Sequence, residues 1–409
     1  MTKTITLFIA TLFAISTNAQ SVNCFSGRFD TEVFSSIDTS NDVAFGANTD
    51  YNGANTILTM DIYQPNGDTM LQRPLIVWVH GGSFISGTKN DNDVVALCQQ
   101  FAMRGYVCAS INYRLGISFP YNQANATNAV YRSVQDLKAA IRFFRKDAAT
   151  SNTYMIDPTI VFAGGSSAGA FAALHLGYMD DYSELPTSID TTVLGNLEGN
   201  SGNPGYSTTV NAVIDLCGAL GSKTYMEPTD VPLCAMHGTA DNVVPYATNI
   251  IYLLGAFPIM TVDGSYSVCS YADSIGLYNE FYTFYGAPHV PYYSNTTYMD
   301  TTVRFVSNFL YKQLGCTPAD PNPLPNTFNT TTGLTQISND ASIYPNPSSG
   351  LVKIHLTKKV EIISVNNLLG KVILSKKINS MDTELDLSNL HGIYFIHADG
   401  QVIGKIVVE

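Results

Sequence analysis

The chain has 409 residues, 45% of them hydrophobic, so it holds enough apolar side chain for a sizeable core and is neither disordered nor fibrous. Only 13% are charged, and 33 acidic against 21 basic side chains leave a net charge of -12. Such a surface repels phosphate backbones and anionic headgroups, which argues against nucleic acid as a partner.

The first segment, MTKTITLFIATLFAISTNAQS, places Lys3 ahead of an apolar run from Ile5 to Ile15 and small or polar residues before Ala19. This is a signal-peptide layout, with cleavage expected after Ala19. The run is shorter than the roughly 20 residues a membrane span takes, and no later stretch qualifies, so no integral span is expected. Export permits disulfides, but the seven cysteines include no CxxC pair and no zinc-ligand spacing. Neither a metal nor a cofactor is expected. Cys98 falls on an apolar helical face and Cys108, Cys217 and Cys234 lie in strand-like runs, so core packing is expected of these four. Cys24 and Cys316, near the two ends of the first domain, are candidates for a bridge.

Residues 20–316 alternate strand-like and helix-like segments. The strands are LTMDIY, PLIVWVH, YVCASINY, TIVFAGG, VNAVIDL, PLCAMHG and a run around YTFYG; residues 93–104, 132–148, 167–178 and 299–314 have helical spacing. This alternation predicts an α/β fold, a mostly parallel sheet covered by helices on both faces, with its active site beyond the carboxyl ends of the strands.

The residues just after the strands carry the chemistry. Gly165-Ser166-Ser167-Ala168-Gly169 matches GxSxG between a buried strand and a helix, the context in which a sharp turn lifts a serine hydroxyl above the sheet. Ser167 is the candidate nucleophile; choosing Ser166 would break the glycine spacing. A base following it in the chain is His289, since His80 and His237 lie in other strand-end motifs, His175 lies inside the nucleophile helix, and His355, His391 and His397 belong to the terminal segment. Asp241, directly after PLCAMHG, is the candidate acid, with Asp215 the runner-up. Backbone N–H groups of Gly82, Ser83 and Ala168 are the candidate oxyanion hole, and His80 orients that loop. Phe84, Tyr246 and Tyr292 flank the motifs as candidate substrate contacts. The long polar segment 178–209 reads as a lid or substrate loop, and the cluster Asn90–Asp93 as a helix start in preference to a calcium site.

Together HGGSF at 80–84, SINYRLG at 110–116, SVQDLKAAIRFFRKDA at 133–148 and DPTIVFAGGSSAGA at 157–170 resemble the α/β-hydrolase superfamily, in particular its carboxylesterase and hormone-sensitive-lipase-like branches. The resemblance extends over about residues 56–312. It departs where Ser83 replaces the third glycine of HGGG and where Ser166 stands in place of an acidic residue. It implies a serine carboxylic ester hydrolase working through an acyl-enzyme, on small, aryl or acetylated or feruloylated polysaccharide esters. A polyester hydrolase or serine peptidase on the same scaffold is the alternative, and a non-catalytic adhesion module is the reading of another class.

Residues 317–341 gain Pro, Asn and Thr and lose periodicity, as a linker does. Beyond them, residues 342–409 break into seven short alternating runs, the pattern of a small β-sandwich. YPNPSSG, LLGKVI, LDLSNLHGIYFI and VIGKIVVE resemble the C-terminal sorting domain of the type IX secretion system of Bacteroidetes. That implies the type IX machinery as a partner and a secreted or surface-attached product.

Overall fold

The computed structural model describes Cys24, residues 26–318, 327–328 and, toward the end of the chain, 341–360, 362–367, 372–398 and 401–408. The expected signal peptide and most of the expected linker lie outside these residues. The chain divides into two compact units, Met1–Asn329 and Thr330–Glu409.

The first unit is built on a nine-stranded sheet. Its elements run β1 (Ile37–Thr49), β2 (Asn55–Pro65), β3 (Arg73–Val79), α1 (Asn92–Met103), β4 (Val107–Ile111), α2 (Gln123–Ala149), β5 (Ile156–Ser166), α3 (Ala168–Tyr178), α4 (Thr191–Leu194), β6 (Ala212–Leu216), β7 (Ala219–Leu220), β8 (Leu233–Gly238), β9 (Asn249–Leu253), β10 (Phe257–Gly264), α5 (Ser265–Ile275), β11 (Asn279–Phe284), α6 (Thr296–Gln313) and β12 (Thr327–Phe328). The sheet order is β1-β2-β4-β3-β5-β6-β8-β11-β12, parallel from β4 to β11 and antiparallel at its edges.

The central strands are buried on both faces because helices cover both. In β3, Leu75, Val77 and Val79 enter a core shared with Leu137 and Phe144 of α2 and Phe171 of α3, while Ile76 and Trp78 enter the opposite core with Leu97 and Phe101 of α1 and Phe309 of α6. Period-two side-chain alternation in an all-apolar run delivers this two-sided burial. The chain moves from β3 to β4 on one side and then to β5 on the other. That reversal opens a crevice at the carboxyl ends of β3 and β5, where ligands of open α/β sheets bind.

Cys24 and Cys316 form a disulfide across 292 residues of sequence, and Cys98, Cys108, Cys217, Cys234 and Cys269 are free and buried. Helix α1 begins just after Asp91, which caps it by backbone conformation alone. No helix among the described residues is long and apolar enough to cross a membrane.

The second unit is two antiparallel sheets, β13 (Ala341–Tyr344), β14 (Leu351–Leu356) and β17 (Asp382–Asp386) in one, and β16 (Val372–Lys377), β15 (Ile362–Asn367), β18 (Gly392–Ala398) and β19 (Gln401–Val408) in the other. Strict alternation in β14 buries Val352, Ile354 and Leu356 against Val365, Ile396 and Ile406 of the facing sheet.

Candidate active site

Ser167 sits between β5 and α3 at φ 54° and ψ -117°. A non-glycine residue adopts such a left-handed φ only when its surroundings enforce it. The glycines on either side are sterically required: a Cβ on Gly165 would lie 2.1 Å from the Gly169 carbonyl carbon, and one on Gly169 would lie 2.0 Å from the Val79 oxygen. The turn thus packs α3 directly onto the end of β3. Ser166 points the other way, with its hydroxyl 2.9 Å from that of Tyr292.

His289 lies in the loop after β11, with Nε2 2.8 Å from Ser167 Oγ and Nδ1 2.6 Å from Asp241 Oδ2. The loops bearing Asp241 and His289 are tied together: Ala240 donates its N–H to Ala287 O at 3.0 Å, and Gly286 donates to Thr239 Oγ1 at 2.8 Å. Asp241 Oδ1 accepts the N–H groups of Val243 and Val244, both at 2.9 Å. Burial opposes the charge on this carboxyl, but hydrogen bonds from His237 and His289 outweigh it and hold Asp241 well below the usual carboxylate range. Asp215, the alternative acid, is fully buried and does not touch His289; its oxygens meet Gly218 N and Ser265 Oγ.

The HGGSF loop lies beside the serine. A Cβ on Gly81 would come 3.3 Å from Ser167 Cβ, and Gly82, Ser83 and Phe84 all take positive φ. The Gly82 carbonyl is engaged by Ile85 N and Ser86 N, both at 3.0 Å, so the loop is a closed turn. His80 stacks on Tyr113 at 4.5 Å, with Nδ1 2.7 Å from Gly81 O. Burial pushes His80 below its ordinary range, which keeps the ring neutral beneath the loop.

A cleft of about 910 Å³, counting its open mouth, runs from Ser83, Ser167 and Ala168 into mostly apolar surroundings. Phe84 and Phe171 stand at the serine, Ile117 and Val130 form one wall, and Ile251, Met260 and Val262 form another. Two of the expected substrate contacts are corrected here. Tyr292 is 1% exposed, donates to Leu216 O at 3.1 Å, and fills the space behind the serine turn instead of the cleft. Tyr246 is bound to the Thr283 hydroxyl at 2.8 Å, packs on the rings of His237 and Tyr266, and is likewise absent from the lining. The expected strands did not include the β9–β10 hairpin, which supplies one wall; its signal is the apolar run IIYLL, a Gly-Ala turn, then PIMTV.

Segment 178–209 is not a loose lid. Gln135, Lys138, Arg142 and Arg145 of α2 donate to the carbonyls of Leu194, Leu197, Gly202 and Ser207, each at 2.8 Å. Only Met179, Pro186 and Ile189 of this segment reach the cleft.

Among the described residues, one cluster of possible metal donors, Cys217, Asp241 and His289, has its ligand atoms within 4.8 Å of one another. Burial drives the Cys217 thiol up, toward its protonated form, and the other two are already committed to each other. The arrangement fits hydrogen bonding and not coordination.

Residues 60–221 match the BD-FAE family model, and residues 342–409 match that of the secretion system C-terminal sorting domain. The first match takes in the turn that carries Ser167, and the second falls within the second compact unit. The chain is similar to mouse carboxylesterase 3B, 34% identical over 116 residues that make up 27% of this chain and 19% of that protein. Gut esterase 1 of Caenorhabditis elegans is 25% identical over 119 residues, 29% of this chain and 20% of that protein. The chain therefore spans about a fifth of the length of the curated relatives it matches. Among solved structures, the apo form of Thermogutta terrifontis esterase 2 is similar with 21% identity and a TM-score of 0.47, over 68% of this chain and 95% of that one. A truncated form of carbohydrate esterase from gut microbiota is 20% identical with a TM-score of 0.45, over 69% and 98%. The match of residues 342–409 to the sorting-domain model points to secretion or the cell surface.

Proposed function

We propose that the chain is an exported serine carboxylic ester hydrolase that works through an acyl-enzyme. The observation that carries this reading is Ser167 Oγ at 2.8 Å from His289, itself 2.6 Å from Asp241, at the inner end of an apolar cleft. His289 takes the serine proton as Ser167 attacks the ester carbonyl, then returns it to the departing alcohol. Asp241 fixes the ring and offsets the imidazolium charge. Backbone N–H groups of Ala168, Gly82 and Ser83 receive the oxyanion. Water repeats the attack and releases the acid. Similarity to carboxylesterase 3B and gut esterase 1 over this region supports the same chemistry.

The lining favours an apolar acyl or aryl group in the cleft, with the alcohol toward solvent, where an aryl ester or an acylated polysaccharide fits. Exposed rings at the hairpin favour a polymer-borne ester: Tyr252 and Phe257 are 47% and 42% exposed, and Phe257 meets Tyr121 at 5.3 Å. Ser167→Ala is expected to abolish hydrolysis of a short-chain aryl ester without altering the circular dichroism spectrum. Retained turnover sinks the nucleophile assignment, and an unaltered protein inert across acetyl, feruloyl and polymer esters returns the adhesion reading. A signal peptide ending at Ala19 and a tail removed during type IX export complete the proposal. Mass spectrometry of the exported protein should find neither residues 1–19 nor most of 342–409; an intact tail on the mature product contradicts the processing.

A further inference from the structure

A second chain of hydrogen bonds runs away from Asp241 into the interior. His237, at the end of β8, places Nε2 3.1 Å from Asp241 Oδ2, the same oxygen that faces His289. Its Nδ1 lies 2.7 Å from Ser265 Oγ, the first residue of α5, and that hydroxyl lies 2.6 Å from Asp215 Oδ2 at the end of β6. All three residues are 0% exposed, so no substrate reaches them.

The protons in this branch can be counted. Nε2 of His237 faces only acceptors, Asp241 Oδ2 and the Val244 carbonyl at 3.2 Å, so it carries a hydrogen. The Ser265 hydroxyl donates to Asp215 Oδ2 and turns its oxygen toward Nδ1, so Nε2–H is left to face Asp241. Gly218 N, donating to Asp215 Oδ1 at 2.7 Å, anchors the far end.

We propose that His237, Ser265 and Asp215 form a positioning unit that aims an N–H at Asp241 Oδ2, so that the carboxylate stays ionised and its remaining lone pair points at His289. The proposal rests on the ester-hydrolase reading of Ser167, His289 and Asp241. Asp241 then accepts four hydrogen bonds and has no freedom to turn. The other groups facing it are the backbone of Val243 and Val244 and the Cys217 thiol; beyond its own chain of partners His237 meets the Val244 carbonyl at 3.2 Å and the Tyr246 ring, 5.7 Å between centroids. Without the His237 donor, negative charge concentrates on the oxygen facing His289 and favours its protonated ring. Because ester attack needs that ring neutral, the acid limb of the activity profile moves to higher pH.

The test uses the full chain, with kcat expressed per active site titrated by a fluorophosphonate, so that loss of folded protein does not register as loss of rate. His237→Phe is expected to lower kcat about 10- to 100-fold, with KM changed by less than about twofold and the acid limb of kcat/KM displaced upward. Ser265→Ala should do the same in smaller measure, and adding Asp215→Asn to it should cost nothing more, since both cut one chain. If His237→Phe does not fold, Ser265→Ala decides alone. A Ser265→Ala protein with the original kcat per site and the original pH profile overturns the proposal. If the unaltered protein hydrolyses no ester, the catalytic reading fails and the branch is judged by proton NMR. The far-downfield His289–Asp241 N–H resonance should move in Ser265→Ala, and a resonance that stays in place overturns the proposal.

Discussion

His175 lies two turns into α3 and lines the cleft, with both ring nitrogens engaged. Nε2 accepts the N–H of Gly221 at 3.1 Å, so the hydrogen is on Nδ1, 2.8 Å from Phe171 O. There is no room in this pattern for a second proton, and burial pushes the pKa down to about 4. The unfolded chain takes that proton below about pH 6.5 and the folded chain refuses it. Stability from this residue is therefore complete above pH 6.5 and drains away as pH falls toward 4. His80 is shifted in the same direction by burial. Asp241, shifted below its ordinary range, withdraws its contribution only in stronger acid. Urea unfolding at pH 7 and pH 4.5 should show a loss that His175→Gln reduces by about 2–3 kcal/mol; an unchanged loss means His175 is protonated in the fold.

At the scale of elements, the cleft's shape depends on the β9–β10 hairpin, which pairs with β7 only through Asp263 and Gly264 at its base. Met260 faces Thr127 of α2 across the cleft, its sulfur 4.0 Å from the hydroxyl. Met260→Trp should fill this space. The expected result is a drop of about tenfold or more in kcat/KM for octanoyl relative to acetyl esters, given 1–3 kcal/mol per methylene in such pockets; an unchanged ratio places the acyl group elsewhere. The hairpin also marks where the sequence stops being legible. β3, β4, β6 and β8 are short apolar runs buried throughout, and their loops carry the Gly, Ser, His and Asp signals. β9 and β10 mix exposed and buried positions, because one side covers a cleft and the other meets water. Segment 178–209 looks like a free loop because its staples are side chains on α2, some 60 residues earlier in the chain. Tyr292 shows the same limit at one residue. Its closeness to His289 in sequence suggests the cleft, but Val290, at φ 41°, turns the chain back so that the ring enters the core. Helix α2 begins at Gln123, ahead of the expected 132, because Asn122 caps it through Asn125 N while QANATNAVY offers no apolar period.

Over the whole molecule, the acidity belongs to one part. Residues 20–316 carry 25 acidic and 13 basic side chains, whereas residues 342–409 carry seven Lys and six acidic residues. The Cys24–Cys316 bridge closes the acidic unit one residue before the expected linker, so loss of the tail leaves the bridge inside the product. Around it, Phe29 donates its N–H to Arg104 O at 2.7 Å and Ser307 Oγ donates to Asp30 O at 3.2 Å, which fastens the leading segment to α1 and α6. A cross-link spanning 292 residues removes a large share of the unfolded chain's freedom. The active-site contacts come from β3, β5, β8 and β11 and do not pass through it. Cys24→Ser/Cys316→Ser should therefore lose about 2–5 kcal/mol of unfolding free energy while kcat at 25 °C stays unchanged. Reductant should reproduce the shift in the unaltered protein, where the bridge is the sole disulfide among the described residues. A pair of serines that leaves the urea midpoint where it was means the leading segment is held by its packing on α1 and α6 alone. A matching fall in kcat means instead that this packing reaches His289 through α6, which follows its loop directly in the chain.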